Sequence, residues 1–159
     1  MSDQFKQAMR RFASSIAIVT SAVEEEWSGI AATAVMSVAA DPPTIAVAIN
    51  RSSSLIPVLD QARCFNVNLL APRHAELVAV FGGQVKGRER FEAGDWQAST
   101  RGLPVLADAV ALLECRVASQ IEVATHMLFI GAVETIVNHP EIDPLLWIDG
   151  GCSSARALV

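Results

Sequence analysis

Apolar residues at the start of the chain follow the spacing of a helix. Phe5, Ala8, Met9 and Phe12 recur three or four residues apart, and basic residues stand between them. This pattern is typical of an amphipathic helix and predicts one over residues 3–14. We expect its apolar face to pack on a sheet.

β-Branched and apolar residues dominate the segment that follows. Residues 15–23 predict a strand, the acidic triplet 24–26 predicts a hairpin turn, and residues 27–35 predict the returning strand. The proline pair 42–43 interrupts the pattern, and a further buried strand is predicted from Thr44 to Arg51. The first third of the chain is therefore expected to be mostly β.

Helices alternate with strands in the middle of the chain and then disappear. The pattern predicts a helix over 55–62, a strand over 64–70 and a helix over 73–81. From Leu112 onward it predicts two long strands and a short one, PLLWID, with no helix between them. A doubly wound sheet needs a helix after nearly every strand, so we predict a mainly β fold, an antiparallel barrel or sandwich with flanking helices.

Composition narrows the class of protein. A length of 159 residues and a mass of 17.0 kDa predict one domain spanning residues 1–159. Apolar residues make up 52% of the chain and the mean hydropathy is +0.37, which suggests surface that is covered by a partner or by an apolar ligand. A net charge of -5 disfavours nucleic acid as the partner.

Targeting signals and cysteine spacing add further expectations. The weakly polar run from Gly29 to Ala40 is too short to span a bilayer, and the N-terminus lacks the apolar core of a signal peptide, so we expect a cytoplasmic protein without a membrane anchor. Cys64, Cys115 and Cys152 are an odd number without C-x-x-C spacing, which disfavours disulfides and a zinc cluster. We expect Cys64 and Cys115 in the core.

Familiar catalytic motifs are missing. The stretch GGQVKGRER has the glycine frame of a P-loop, but Arg88 and Glu89 stand where lysine and serine or threonine are needed. No G-x-S-x-G motif supports a serine hydrolase, and the histidines lack the neighbours of a metal site. We expect His74 and His139 to be solvated, whereas His126, between two strands, could face a ligand or solvent.

A polar cluster ends the strand that begins at Thr44. The sequence NRSSS, residues 50–54, could simply cap the next helix through Ser53 or Ser54. Hydroxyls and a guanidinium at a helix N-terminus could equally bind an anion. In TAVMS, residues 33–37, small and hydroxyl-bearing residues would let backbone amides approach a flat ligand. The residues alone leave these alternatives open.

In their order and spacing, several segments resemble the short-chain flavin reductase family. The resemblance extends over nearly the whole chain and is carried by FKQAMRRFASSIAIVT, GIAATAVMSVAADPPTIAVAINRSSS, FNVNLL, FGGQVKGRERF, GDW, GLPVL, LECRV and THMLFIGAVE. Within the family, the chain is most similar to the FMN reductases of the pyrimidine-degradation pathway and to the reductase components of two-component monooxygenases. The resemblance implies an FMN-binding split β-barrel that forms a homodimer, with one flavin per subunit near the interface.

The resemblance also implies a set of cofactor contacts. A backbone segment would follow the flavin ring, a polar loop would hold the ribityl chain and phosphate, and an Arg-Phe pair would lie near the phosphate and cap the flavin. The matching residues are Thr33, Ala34, Val35, Met36 and Ser37 for the ring; Asn50, Arg51, Ser52, Ser53 and Ser54 for the phosphate; and Arg90 and Phe91 for the pair.

The nicotinamide side of the implied site departs from the family pattern. His126 matches a histidine that contacts the nicotinamide nucleotide, but Ala124 and Thr125 stand where the family has Gly-Asp. Trp147 keeps an aromatic position of the tail, whereas Cys152 stands where a tyrosine is usual. Binding of the nicotinamide nucleotide is therefore less well supported than binding of the flavin.

The implied activity is transfer of hydride from NADH or NADPH to FMN or FAD, with no catalytic protein base, no metal, and His126 as an orienting group. Reduced flavin would then pass to an oxygenase component. Two alternatives stay open: a flavoprotein with tightly bound FMN that reduces another acceptor, such as a corrinoid or a ferric complex, and a flavin-binding dimer without catalytic activity.

Overall fold

The structure, a computed structural model, describes residues 1–158. Its helices are α1 (Ser2–Met9), α2 (Leu55–Ala62) and α3 (Ala75–Ala79), and 3-10 turns cover Pro72–His74 and Gly87–Glu92. Its strands are β1 (Ser14–Ser15), β2 (Ala17–Val23), β3 (Glu26–Ala32), β4 (Val35–Ala40), β5 (Pro43–Asn50), β6 (Cys64–Leu69), β7 (Trp96–Ala98), β8 (Pro104–Leu106), β9 (Ala111–Val123), β10 (His126–Asn138), β11 (Leu145–Ile148) and β12 (Gly151–Ser154).

Antiparallel pairing dominates the architecture. A seven-stranded sheet has the order β3-β2-β6-β9-β10-β5-β4, a three-stranded sheet has the order β1-β11-β12, and β7 pairs with β8. The predicted mainly β, antiparallel fold with flanking helices is therefore confirmed. Among residues 1–158, no helix is both long enough and apolar enough to cross a membrane.

A two-residue corner brings the ends of the large sheet together. β3 and β4 are the outer strands of that sheet, yet only Thr33 and Ala34 separate them in sequence. Because two extended residues span roughly 7 Å, the sheet must curl until its two edges approach each other at this corner. A hydrogen bond from Ala48 N to Ala34 O, 3.0 Å long, fixes the corner to β5.

Two apolar cores lie on opposite faces of β2. Ala17 and Val19 belong to one core, where they pack with Phe65, Phe129 and residues of α2, while Ile16 and Ile18 belong to the other, with Leu77 and Phe81. Successive side chains of a strand point to opposite faces, so a strand buried on both sides is apolar at every position. This explains the continuous apolar run that the sequence shows between residues 16 and 19.

Several predicted elements are confirmed, and others need correction. The hairpin turn after β2, the helix 55–62 and the long C-terminal strands agree with the structure. The predicted helix 73–81 is divided into a 3-10 turn, α3 and an irregular turn over Val80–Gln84. β7 and β8 were not predicted, since strands of three residues are too short to show a period. Cys115 is buried as expected, whereas Cys64 is only half-buried.

The first helix differs most from its prediction. α1 ends at Met9, and none of its residues is buried: Phe5 keeps 62% of its surface exposed, and Phe12, beyond the end of the helix, keeps 63%. The expected packing of its apolar face on a sheet is therefore wrong for the single chain. One backbone hydrogen bond, from Asp149 N to Arg10 O at 2.9 Å, attaches the end of the helix to the turn between β11 and β12.

Candidate functional site

Two adjoining cavities open beside β3. The first, which we call the polar cavity, has a volume of about 640 Å³ and is lined by the loop after β5 and the segment after α3. The second, the apolar cavity, has a volume of about 630 Å³ and lies between β3, α3 and the three-stranded sheet. Ala31 and Gly82 line both. The two cavities therefore lie side by side and share part of their lining.

The loop after β5 supplies hydroxyl groups to the polar cavity. Asn50, Ser52, Ser53 and Ser54 all line it. The Asn50 side-chain oxygen accepts hydrogen bonds from Ser52 N at 2.9 Å and from Ser52 Oγ at 2.8 Å, which holds the loop in a tight turn. Ser53 Oγ accepts a hydrogen bond from Leu55 N at 3.2 Å. The loop is thus fixed by its own side chains before any ligand binds.

Ser53 and Ser54, the two candidate caps of α2, have different hydrogen bonds. Ser54 occupies the N-cap position of α2, but its side chain makes no capping hydrogen bond, and the neighbouring Ser53 hydroxyl accepts one instead. Capping and anion binding are therefore compatible in this loop. The Ser53 hydroxyl accepts a hydrogen bond from the start of α2, and the Ser54 hydroxyl makes no capping bond and lines the polar cavity.

Arg90 is a buried cation on the wall of the polar cavity. Its side chain is 7% exposed, and Nη1 donates a hydrogen bond to Gly29 O. Within residues 1–158, Nε has no hydrogen-bond partner and the guanidinium forms no ion pair. Burial lowers the pKa of Arg90, yet a guanidinium still keeps its charge at neutral pH. A buried, uncompensated cation beside a cavity favours binding of an anion.

The segment excluded as a P-loop nevertheless lines the polar cavity. Gly82, Gly83, Lys86 and Gly87 all contribute to its wall. Gly83 and Gly87 have φ angles of 113° and 65°, which residues other than glycine rarely adopt. Sequence reasoning missed Lys86, although its position between two glycines and close to Arg90 was the available signal. This segment adds a second cation to the polar cavity.

The apolar cavity takes only one residue from the predicted ring-binding segment. Thr33 lines it, together with Ala31 and Ala32, while Val35, Met36 and Ser37 belong to the edge strand β4. The opposite wall consists of side chains of α3, with Gln84, Trp147 and Cys152 completing it. Small alanine side chains on both walls leave a slot whose contents would contact mainly apolar atoms.

Arg51 and Phe91, both predicted near the flavin phosphate, face other groups. The Arg51 guanidinium pairs with Glu122 on the protein surface. Phe91 is 8% exposed and lies in a cluster of aromatic rings, with centroid distances of 5.3 Å to Trp27, 5.2 Å to Phe81 and 5.2 Å to Trp96. Neither residue lines the polar or the apolar cavity. Phe91 instead supports Phe81, which does line the polar cavity.

The two residues predicted on the nicotinamide side lie in different surroundings. His126 begins β10 directly opposite Asn50 in the sheet, is exposed, and has its Nδ1 2.9 Å from Thr125 Oγ1. Trp147 lines the apolar cavity and is the cross-strand neighbour of Cys152. A single chain therefore does not bring His126 and Trp147 to the same cavity. Cys152, which occupies the sequence position of the usual tyrosine, also lines the apolar cavity.

His74, expected to be solvated, is buried with 6% of its surface exposed. Its Nδ1 accepts a hydrogen bond from Ala71 N at 3.0 Å, and its Nε2 lies 2.9 Å from Asp108 Oδ1. Burial opposes ionisation of Asp108, but hydrogen bonds from Arg73 and His74 outweigh it and lower the pKa of that carboxyl group. These contacts attach the start of α3, and hence one wall of the apolar cavity, to the segment before β9.

Comparison with known proteins shows the family to which the chain belongs. The family model described as a flavin reductase like domain matches residues 9–156. The FMN reductase (NADH) RutF of Klebsiella pneumoniae subsp. pneumoniae is 37% identical over 147 residues, which are 92% of this chain and 90% of that protein.

Solved structures agree as well. The flavin reductase domain protein from Arthrobacter sp. FB24 superposes with a TM-score of 0.91 at 26% identity, over 100% of this chain and 98% of that one. The native-state structure of the flavin reductase PheA2 gives a TM-score of 0.88 at 28% identity, over 99% of both chains.

Proposed function

The chain belongs to the flavin reductase like domain family, and from that premise we propose that it is an NADH-dependent reductase of free FMN. The observation that carries the proposal is Arg90, a buried cation without a counter-ion on the wall of the polar cavity. The NADH-dependent FMN reductase from Klebsiella, at 37% identity, supports the choice of both cofactors. Reduction with NADPH, and reduction of FAD, are compared with this pair by titration.

The residues present fit a flavin mononucleotide. Phosphate needs cations and hydrogen-bond donors, and the polar cavity has Arg90, Lys86 and the hydroxyl of Ser54. A flat, largely apolar ring system needs a slot, and the apolar cavity lies beside the polar one, with Ala31 and Gly82 in the lining of both. We therefore place the phosphate in the polar cavity and the ring in the apolar cavity. Ser52 and Asn50 fix the loop that presents Ser54.

The chain contributes position and charge to the reaction. The chemistry that the two cofactors supply when bound is hydride transfer from the nicotinamide ring to the flavin ring. In the proposed site, the alanine-lined walls would hold the ring system, and Trp147 lines the same cavity. Orienting two reactants in this way contributes up to roughly 7–11 kcal/mol in favourable cases. The proposal needs no protein base, and Thr33 to Ser37 remain proposed backbone contacts of the ring.

We further propose that the chain forms one domain, a split β-barrel, and acts as a homodimer. The curl of the seven-stranded sheet at Thr33 and Ala34 supports the barrel. Exposed apolar side chains support the dimer: Met36 and Val38 on β4, Ile121 and Val123 on β9, and Ile136 and Val137 on β10 are between 51% and 62% exposed. Apolar surface of this extent on sheet strands favours burial against a second copy.

The dimer can be tested with a charge on the edge strand. Val38→Asp is expected to convert a dimer into a monomer, because the carboxylate would have to be buried unpaired in the interface. Gln61→Asp, on the exposed face of α2, is the control and should leave the dimer intact. Sedimentation equilibrium at micromolar protein measures the mass, and a monomeric wild type would contradict the proposed dimer.

Reduced flavin is proposed to leave the site for an oxygenase component. The loop and glycine residues around the polar cavity are mostly exposed, which supports exchange of the flavin with solvent. The expectation of an oxygenase partner rests on the family resemblance. An oxygenase that uses reduced FMN should turn over when this protein and NADH are its only source of reduced flavin.

The activity is tested by anaerobic titration. Adding NADH to the protein with excess FMN is expected to remove the visible absorbance of oxidised FMN over many turnovers, because flavin bound in an open groove can be exchanged. Parallel titrations with NADPH and with FAD establish the preference for each cofactor. No reduction with any pair would reject the proposal, whereas a single turnover by flavin that stays bound through gel filtration would favour the tightly bound alternative.

A further inference from the structure

Charged residues of both signs stand close together between Lys86 and Glu92, and the fold separates them. Lys86 and Arg90 line the polar cavity. Arg88, Glu89 and Glu92 line a different cavity of about 320 Å³. A 3-10 turn covers most of this segment, and its three-residue repeat points neighbouring side chains in different directions. Both acidic residues of the segment therefore belong to the lining of the other cavity.

The charge of the polar cavity is positive and uncompensated. Among residues 1–158, its lining contains two cations and no carboxylate, since Asn50 and the serines 52–54 are neutral. No ion pair formed by this part of the chain includes Lys86 or Arg90. The whole chain has a net charge of -5, so the two positive charges are a local feature of this cavity. A ligand with two negative charges complements them best.

We propose that Lys86 and Arg90 together select a phosphate monoester that carries two negative charges, and that Lys86 is the residue that favours FMN over FAD. This inference rests on the proposed function, which places the flavin phosphate in the polar cavity. The phosphate of FMN is a terminal monoester, which loses its second proton at a pKa of about 6. In FAD the same phosphate continues into a pyrophosphate and keeps a single charge.

The two cations differ in how they respond to the charge of the ligand. Arg90 is buried and donates a hydrogen bond to Gly29 O, so its guanidinium is in place for any anion. Lys86 is exposed, and binding must fix its long side chain at a cost in conformational entropy. Coulomb attraction is proportional to the charge of the ligand, so a dianion offsets this cost better than a monoanion does. Lys86 therefore distinguishes the second negative charge.

The test compares oxidised flavins that differ in the charge at the end of the ribityl chain. The sulfate ester of riboflavin has the tetrahedral shape of FMN but one negative charge. Titrations at about pH 8, where the phosphate carries two charges, give the Kd of each flavin from the change in flavin fluorescence. The Kd of the sulfate ester divided by that of FMN measures selection of the second charge. Lys86→Met is expected to lower this ratio at least about five-fold.

Two control variants show whether the effect belongs to a cation at this position. Lys86→Arg keeps the charge and should leave the ratio within about two-fold of the wild type. Arg88→Met removes a positive charge from the same segment but outside the polar cavity, and should also leave the ratio within about two-fold. A decrease in Arg88→Met equal to that in Lys86→Met would reduce the effect to long-range electrostatics and overturn the assignment.

The preference between FMN and FAD follows from the same ratio. The wild type is expected to bind FMN more tightly than FAD, and Lys86→Met should lower that preference at least about three-fold. Riboflavin, which has no charge at this end, should bind the wild type and Lys86→Met with Kd values within about two-fold of each other. An unchanged preference for FMN over FAD in Lys86→Met would show that Lys86 does not select between them.

Binding of oxidised flavin needs no NADH, so this inference and the proposed activity can fail separately. If the wild type bound the flavins with the expected ratios but reduced none of them, the activity would fail and the charge selection would stand. If the wild type reduced FMN while Lys86→Met kept the wild-type ratio of the sulfate ester to FMN, the activity would stand and the role of Lys86 would be rejected.

Discussion

Replacing Arg90 with methionine is expected to raise the KM for FMN by about 10- to 100-fold and to leave the KM for riboflavin within about two-fold. Hydrogen bonds to charged groups contribute roughly 1.5–3 kcal/mol, and riboflavin lacks the phosphate that would receive them. Methionine keeps the apolar stem of Arg90 in the wall of the polar cavity. Steady-state reduction of FMN and riboflavin by NADH, measured side by side, provides the comparison.

One control variant shows whether the effect depends on the position of the charge. Arg88→Met removes an arginine of the same 3-10 turn that lies over Trp27 and donates to Glu25 O, outside the polar cavity, and should leave the KM for FMN nearly unchanged. Arg90→Met also leaves Gly29 O without its donor, so a loss of about 1 kcal/mol in stability is expected. Equal increases in the KM for FMN and riboflavin would show that Arg90 supports the cavity wall instead of binding phosphate.

Replacing Gly131 with alanine is expected to lower the free energy of unfolding by about 1–3 kcal/mol, which is the cost of overfilling a packed core. A β carbon at this position of β10 would lie 2.7 Å from Phe65 Cζ and 3.1 Å from Cys115 Cβ. Phe65 and Cys115 are each only 1% exposed, so neither can move into solvent. Differential scanning calorimetry should show a melting temperature lower by about 2–10 °C.

A double variant tests the mechanism of that destabilisation. Phe65→Leu removes the atoms nearest to the new methyl group, so Gly131→Ala should cost less in its presence than in the wild type. Gly151→Ala is the control glycine, because the nearest atom to its added carbon, Ile148 O, is 4.0 Å away. Additive effects of Gly131→Ala and Phe65→Leu would contradict a clash between the two positions.

Elements marked by local signals were predicted well. The acidic turn between β2 and β3 and the helix 55–62, which follows a serine cap, depend on residues within a few positions of one another. The same holds for the loop at Asn50–Ser54, whose turn is formed by its own side chains. Such features can be recognised in sequence because the groups that stabilise them are neighbours in the chain.

Features that depend on distant segments were missed or misplaced. His74 is buried because Asp108 comes close to it from 34 residues farther along the chain. Phe91 packs against Trp27 and Trp96 and lines neither cavity. Lys86 lines the polar cavity from a segment that contains Gly83 and Gly87, both with positive φ. None of these placements is visible in local periodicity.

The sequence by itself determined the family, the mainly β fold and the polar loop that follows β5. These follow from short-range patterns of apolar residues, from turns and from the order of motifs along the chain. The tertiary structure decided which cations reach the polar cavity, which aromatic residues stay in the core, and where α1 lies. Those outcomes depend on the curl of the large sheet, which brings together segments from β3, the loop after β5 and the segment around Arg90. Burial without a counter-ion is the reason for proposing Arg90 as an anion site, and no pattern of neighbouring residues specifies that burial.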